Sequence, residues 1–177
     1  MEFSCASYHP RYTRGEDAEE NPMSDNVVPQ IKNAVFVSFR GEDIRHGFLS
    51  HLIEAFDMKK IYAFVDDNLE RGDEIWPSLV REIEGSFISL IIFSQDYASS
   101  RWCLEELVAI LEYREKYERI VIPVFYHVEP THVRHQSGSY KNAFAKHGSK
   151  HKTKVQLWRH ALNKSADLSG IESSKFR

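Results

Sequence analysis

The sequence predicts an α/β fold in which a parallel sheet is covered by helices on both faces. Three observations predict it. Short, nearly continuous runs of β-type residues recur along the chain, as strands buried on both faces require. Between them lie segments with apolar residues at helical spacing, the pattern of amphipathic helices. The two kinds of segment alternate, which calls for parallel pairing through helical crossovers.

Residues 1–31 carry Gly15-Glu16-Asp17-Ala18-Glu19-Glu20-Asn21-Pro22, prolines at Pro10 and Pro29, and no hydrophobic periodicity. They are expected to form a disordered leader. The first strand run is Ala34-Val35-Phe36-Val37-Ser38-Phe39, followed by a helical stripe of Phe48, Leu49, Leu52, Ile53 and Phe56. Ile61-Tyr62-Ala63-Phe64-Val65 is the second run. A charged stretch from Asp66 to Glu74 and a shorter stripe of Trp76, Leu79, Val80 and Ile83 come next. The third run, Phe87-Ile88-Ser89-Leu90-Ile91-Ile92-Phe93, leads to a stripe of Leu104, Leu107, Val108 and Leu111. After the fourth run, Ile120-Val121-Ile122-Pro123-Val124-Phe125, a last helix passes through Val155, Trp158, Ala161 and Leu162. One folded domain is expected over residues 32–170, with 171–177 starting a linker. No internal repeat is present, and the stretch from Lys146 to Lys154 is the one basic, low-complexity feature.

A chain of 177 residues can bury the core of one such domain. With 23 Lys+Arg against 26 Asp+Glu, the charge balance argues against a nucleic-acid surface spread over the domain. Cys5 and Cys103 are the only cysteines, which excludes a disulfide framework and suits a reducing compartment. No apolar run approaches the roughly 20 residues of a membrane span, and the first thirty residues hold no signal-peptide block. The expected location is the cytoplasm, with the nucleus also open to it, and no membrane partner.

Neither GxGxxG nor GxxxxGK[ST] occurs, so a nucleotide has to be held without the Rossmann or Walker phosphate cradles. The third run ends Phe93-Ser94-Gln95, without the aspartate a phosphate-accepting receiver domain needs there. Nine histidines include His127, His132 and His135 close together and His147 and His151 at helical spacing. No HExxH or paired CxxC accompanies them, and no metal site is expected.

Doubly wound sheets bind ligands beyond the carboxyl ends of their strands, where the strand order reverses. In a flavodoxin-like order 2-1-3-4-5, the crevice lies between Arg40-Gly41-Glu42-Asp43-Ile44-Arg45 and the segment from Ser94 to Trp102. On the following helix, at about 100° per residue, Glu106 points away from the Leu104/Leu107 stripe and shares its side with Trp102 and Ile110. A carboxylate between an aromatic and an aliphatic side chain is a candidate for desolvation and for chemistry.

Six stretches, occurring in order from residue 33 to about 170, resemble the TIR domain of plant nucleotide-binding, leucine-rich-repeat immune receptors. They are Val35-Phe36-Val37-Ser38-Phe39-Arg40-Gly41-Glu42-Asp43, Ser50-His51-Leu52, Leu69-Glu70-Arg71-Gly72-Asp73-Glu74-Ile75, Ser100-Arg101-Trp102-Cys103-Leu104-Glu105-Glu106-Leu107, Ile122-Pro123-Val124-Phe125-Tyr126, and Val133-Arg134-His135-Gln136-Ser137-Gly138. The resemblance implies a flavodoxin-like TIR fold and hydrolysis of NAD+ or NADP+ as substrate, with no prosthetic group. Matched residue by residue, it puts the catalytic carboxylate on Glu106. It places Arg40, Gly41, Trp102 and the loop holding Gly72 beside the substrate, and Asp43 and Arg45 lie in the same crevice loop. It also implies that Ser50 and His51, on the exposed side of the first helix with Gly47 and Glu54, pack against another TIR domain in a homo- or hetero-oligomer. Ile44 departs from the family's usual Thr, and His127 with Glu129 from its more acidic pair before Pro130. A non-enzymatic adaptor that only recruits other TIR domains is the main alternative. A nuclease resting on the Lys/His stretch is a weaker one.

Overall fold

The computed structural model describes residues 30–65 and 76–175, apart from the side chains of His46, Ser149 and Lys150. Gly72, the charged loop around it and residues 1–29 of the expected leader lie outside the described residues. Five parallel strands form one sheet in the order β2-β1-β3-β4-β5, the order expected of the doubly wound fold.

Four of the strands fall on the apolar runs: β1 (Asn33–Phe39), β2 (Ala63–Val65), β3 (Ser86–Phe93) and β4 (Ile120–Phe125). The fifth, β5 (Ile171–Glu172), is two residues long and pairs with Val124 and Phe125 of β4. It lies past residue 170, so the sheet extends into the segment read as the start of a linker. Gly170 lets the chain reach this position, since an added Cβ would sit 2.7 Å from the Pro123 carbonyl and 2.9 Å from the Phe125 ring.

The first helical stripe is interrupted. A short α1 (Gly41–Ile44) passes through a π turn at Arg45–Leu49 into α2 (Ser50–Met58). The other long helices are α3 (Trp76–Glu84), α4 (Arg101–Tyr117) and α7 (Val155–Ala166). Two more, α5 (Pro130–His135) and α6 (Ser139–Lys150), occupy a region where the sequence reading placed no helix. The hidden signal in α6 is Tyr140, Ala143, Phe144 and His147, all buried, at spacings of three, one and three along a helix that also carries Lys141, Lys146 and Lys150.

Alternation along the strands divides the core. Phe36, Ile91, Phe93 and Phe125 face the larger cluster with α3, α4, α6 and α7, around the fully buried Trp158 and Tyr140. Val35, Val37, Phe39, Ile92 and Val124 face the smaller one, which Ile44 and Leu49 complete. Phe48, Leu52, Ile53 and Phe56 do turn to the sheet as expected, but no residue of α2 is buried. An apolar groove of about 680 Å³ runs between α2 and the sheet, lined by Leu52, Phe56, Ile88, Leu90, Ile122 and Val124 among others.

Candidate active site

The crevice forms where β1 and β3 end side by side, with Phe39 in register with Ile92. Beyond β1 the chain turns at Arg40 into α1. Beyond β3 it makes a 3-10 turn, Tyr97–Ser99, and enters α4. Ser100 caps α4 by accepting a hydrogen bond from the Cys103 N–H at 3.3 Å, one of the four donors that a helix start leaves unpaired. This cap fixes the phase of α4 and hence the direction of Glu106.

Glu106 is 1% exposed, beside Ile110 at 1%, so the second buried side of α4 read from helical angles exists. Below it, Ser38, next to last in β1, is a lone hydroxyl among buried apolar residues. Buried polar groups seek partners, and Ser38 Oγ donates to Glu106 Oε2 at 2.7 Å. Tyr97, fully buried, sets its hydroxyl 2.9 Å from Ser38 Oγ and donates to the Cys103 carbonyl at 2.9 Å. Burial first, then the fields of Cys103 and Glu106, push the Tyr97 phenol well above its ordinary value of 10.0. Ser38 and Tyr97 were not among the site residues read from the sequence. A single serine inside a run of buried apolar residues was the signal available.

Arg40 pairs with both Glu42 and Asp43. Burial alone would lower its pKa, but the hydrogen bond and field of Asp43 and the charges of Glu42 and Asp96 raise it. The loop-closing ion pair is therefore what Arg40 makes here. Asp43 also accepts from Ser94 Oγ and from the Asp96 N–H at 3.3 Å, so one carboxylate ties the β1 loop across the crevice to the β3 loop. Gly41 permits this packing: an added Cβ would lie 2.7 Å from Arg45 Nη2, which places the Arg45 guanidinium directly over it.

Trp102 is half-buried, its ring 5.8 Å from that of Trp76 at the start of α3 and with the Arg101 guanidinium 4.9 Å from its centroid. Trp76, from the shorter helical stripe, packs against the larger core cluster and also meets Trp102. Of the residues matched to the site, the structure brings Arg40, Gly41, Asp43, Arg45, Trp102 and Glu106 to one end of the sheet. Ser50 and His51 lie apart from them, exposed on α2, with Ser50 Oγ donating to the Gly47 carbonyl at 2.7 Å. Glu105, next to Glu106 in the chain, is mostly covered and pairs with Lys154 at 2.5 Å. Among the described residues no three His, Cys, Asp or Glu side chains converge as metal ligands, and no helix is long and apolar enough to cross a membrane.

The TIR domain family model matches residues 32–177. The chain is 50% identical over 151 residues to the disease resistance protein RPV1 of Vitis rotundifolia, covering 83% of this chain and 11% of that protein. It is 49% identical over 140 residues to the TMV resistance protein N of Nicotiana glutinosa, covering 77% and 12%. The chain thus spans about a tenth of the length of these curated relatives. Among solved structures it resembles the TIR domains of the activated Roq1 resistosome, which directly recognises the pathogen effector XopQ, at 46% identity and a TM-score of 0.75 over 82% of this chain and 90% of that one. With motifs, sheet order and family model in agreement, the chain belongs to the TIR-domain family, and its relatives are plant disease-resistance proteins.

Proposed function

We propose that this TIR domain is the signalling module of a plant immune receptor and cleaves the nicotinamide–ribosyl bond of NAD+ when it self-associates, triggering defence and cell death. The observation that carries the reading is Glu106, a carboxylate buried at the switch point of the sheet within one helical turn of Trp102. In NAD+ the bond electrons leave with nicotinamide, which departs neutral and needs no proton donor. The ribosyl carbon is left as an oxocarbenium-like centre, which water attacks with release of one proton. One carboxylate therefore suffices where most glycosidases need two. Glu106 stabilises the developing positive charge and accepts hydrogen bonds from the ribose hydroxyls, Trp102 stacks on an aromatic ring, and Arg40 and Arg45 meet phosphate oxygens.

Two features suit a module that is inactive alone. Glu106 is covered, and Arg40 is held by its own loop's acids. Association uncovers the first and releases the second. The same two features favour the rival reading, a recruiting adaptor without chemistry. Nicotinamide release from NAD+ over a concentration series separates the two. The enzyme reading expects specific activity to rise with protein concentration, and a loss of about 100-fold or more in Glu106→Ala with near-normal turnover in Glu105→Ala. Absence of release at every concentration leaves the adaptor.

A further inference from the structure

The series of hydroxyls between Glu106 and the Cys103 carbonyl holds fewer hydrogens than contacts. Three contacts lie in series: Glu106 Oε2 to Ser38 Oγ at 2.7 Å, Ser38 Oγ to Tyr97 Oη at 2.9 Å, and Tyr97 Oη to the Cys103 carbonyl at 2.9 Å. A carboxylate and a carbonyl at the two ends are acceptors only, and each hydroxyl between them brings one hydrogen. Two hydrogens cannot fill three contacts. With Ser38 donating to an ionised Glu106 and Tyr97 to the Cys103 carbonyl, the Ser38–Tyr97 contact has no hydrogen. A third hydrogen, on the Glu106 carboxyl, would complete the series with every donor pointing one way: Glu106 to Ser38, Ser38 to Tyr97, Tyr97 to Cys103 O.

When Glu106 loses that proton to water, the two remaining hydrogens serve the charge best by turning round. Tyr97 then donates to Ser38, and Ser38 donates to Glu106 Oε2. The contact given up is the one at Cys103 O, where the cost is smallest: that carbonyl lies inside α4, whose next turn supplies its helical N–H. Hydroxyl hydrogens turn freely about their bonds, so the reversal moves no heavy atom. Tyr97 keeps its hydrogen throughout, because burial holds the phenol neutral well above its ordinary range.

The geometry points to Ser38 and Tyr97 as positioning residues, a reversible hydroxyl chain that holds the Glu106 carboxyl in one place in both protonation states and supplies donors to its ionised form. This deepens the proposed function and, for its catalytic consequence, rests on it. The chain lets one buried carboxyl be neutral while covered and anionic when a cationic pyridinium arrives, without a change of rotamer. The other titratable groups whose fields reach Tyr97 are Cys103 on α4, its thiol directed at the Phe39 carbonyl 3.4 Å away, and Tyr140 on α6, which donates to the Ser94 carbonyl.

The test reads Glu106 ionisation through stability, so that it does not depend on catalysis. Melting temperature is followed from pH 4 to 9 for the wild-type chain and for Glu106→Gln, whose amide donates to Ser38 as the neutral acid would and cannot ionise. The difference between the two curves reports Glu106 alone, and its midpoint is compared in Ser38→Ala, Ser38→Thr and Tyr97→Phe backgrounds. Ser38→Ala, which removes a hydrogen bond to a charged group, moves the midpoint up by about one pH unit or more. Tyr97→Phe, which loses one oxygen and no packing, moves it in the same direction by less. Ser38→Thr, which keeps the hydroxyl, restores it. A midpoint unmoved by Ser38→Ala and Tyr97→Phe, or no difference at all between wild type and Glu106→Gln, overturns the hydroxyl chain.

Nicotinamide release is measured on the same variants. Loss in kcat with KM unchanged, and an acid limb of the pH profile displaced upward in parallel with the stability midpoint, extends the chain to catalysis. A stability midpoint displaced in the variants, with no nicotinamide released even by the wild-type protein, leaves the chain standing and removes only the NAD+ reading.

Discussion

The two faces of the sheet are built from the same strands and differ in what covers them. On one, Phe36, Ile91 and Phe93 disappear beneath α3, α4, α6 and α7, and both Ser38 and Glu106 lie at that interface. On the other, Val35, Val37 and Ile92 meet α1 and α2, no residue of α2 is buried, and the apolar groove is left between helix and sheet. Neighbouring residues of one strand therefore experience different environments. Chemistry that needs a fixed, desolvated carboxylate sits on the closed side, while the residues matched to self-association, Ser50 and His51, sit on the helix of the open side.

The largest expected effect tests this inequality directly. Leu107→Ala, at a fully buried position on the closed side, is expected to cost about 3 kcal/mol. Leu52→Ala, on the half-covered helix, is expected to cost about 1 kcal/mol, because much of the side chain is already in contact with water. Urea unfolding of both variants decides it, and equal losses would show that the open face is closed in solution.

A second measurement sharpens the description of the closed side through its tyrosines. Burial raises Tyr97 and Tyr140 well above their ordinary value of 10.0, so both stay neutral in the folded chain while their unfolded counterparts ionise. The unfolded state then binds fewer protons, and stability falls as pH rises past about 10. Melting temperature followed from pH 8 to 11 should decline above 10, less steeply in Tyr97→Phe. The same slope in both proteins would exclude Tyr97 as a source.

The smallest effect is expected on the open side. His51→Glu places like charges opposite each other if two copies meet through α2 about a two-fold axis. It should weaken self-association about tenfold or more and leave the melting temperature of the monomer within a degree or two. Light scattering over a concentration series, with wild type in parallel, measures the first; unchanged association would move the contact away from this helix.

How much of this was legible in the sequence follows from which forces are local. Strands β1 to β4 were readable because strands buried on both faces need unbroken apolar runs, and Glu106 was readable because helical angles depend on nothing beyond the helix. The two residues of β5 are too few to carry a pattern, and α6 conceals its buried side, which itself includes His147, among lysines. Ser38 and Tyr97 are far apart in the chain and meet only once β1 and the turn after β3 lie side by side. Only the folded loop shows that Glu42 and Asp43 both hold Arg40.

The shortness of β5 also bears on how this sheet avoids unwanted partners. Among the described residues β5 pairs only with Val124 and Phe125, so Ile120, Val121 and Ile122, a β-prone stretch of the kind through which proteins aggregate, have no β5 partner. Pro123 follows at once and brings no N–H to a foreign ladder, and the chain entering β5 presses Gly170 against its carbonyl and ring. An incoming strand would therefore lose register after three residues. Pro123→Val would lengthen the exposed template while leaving the apolar pattern of β4 intact, and its cost would fall on the solubility of the protein rather than on its fold.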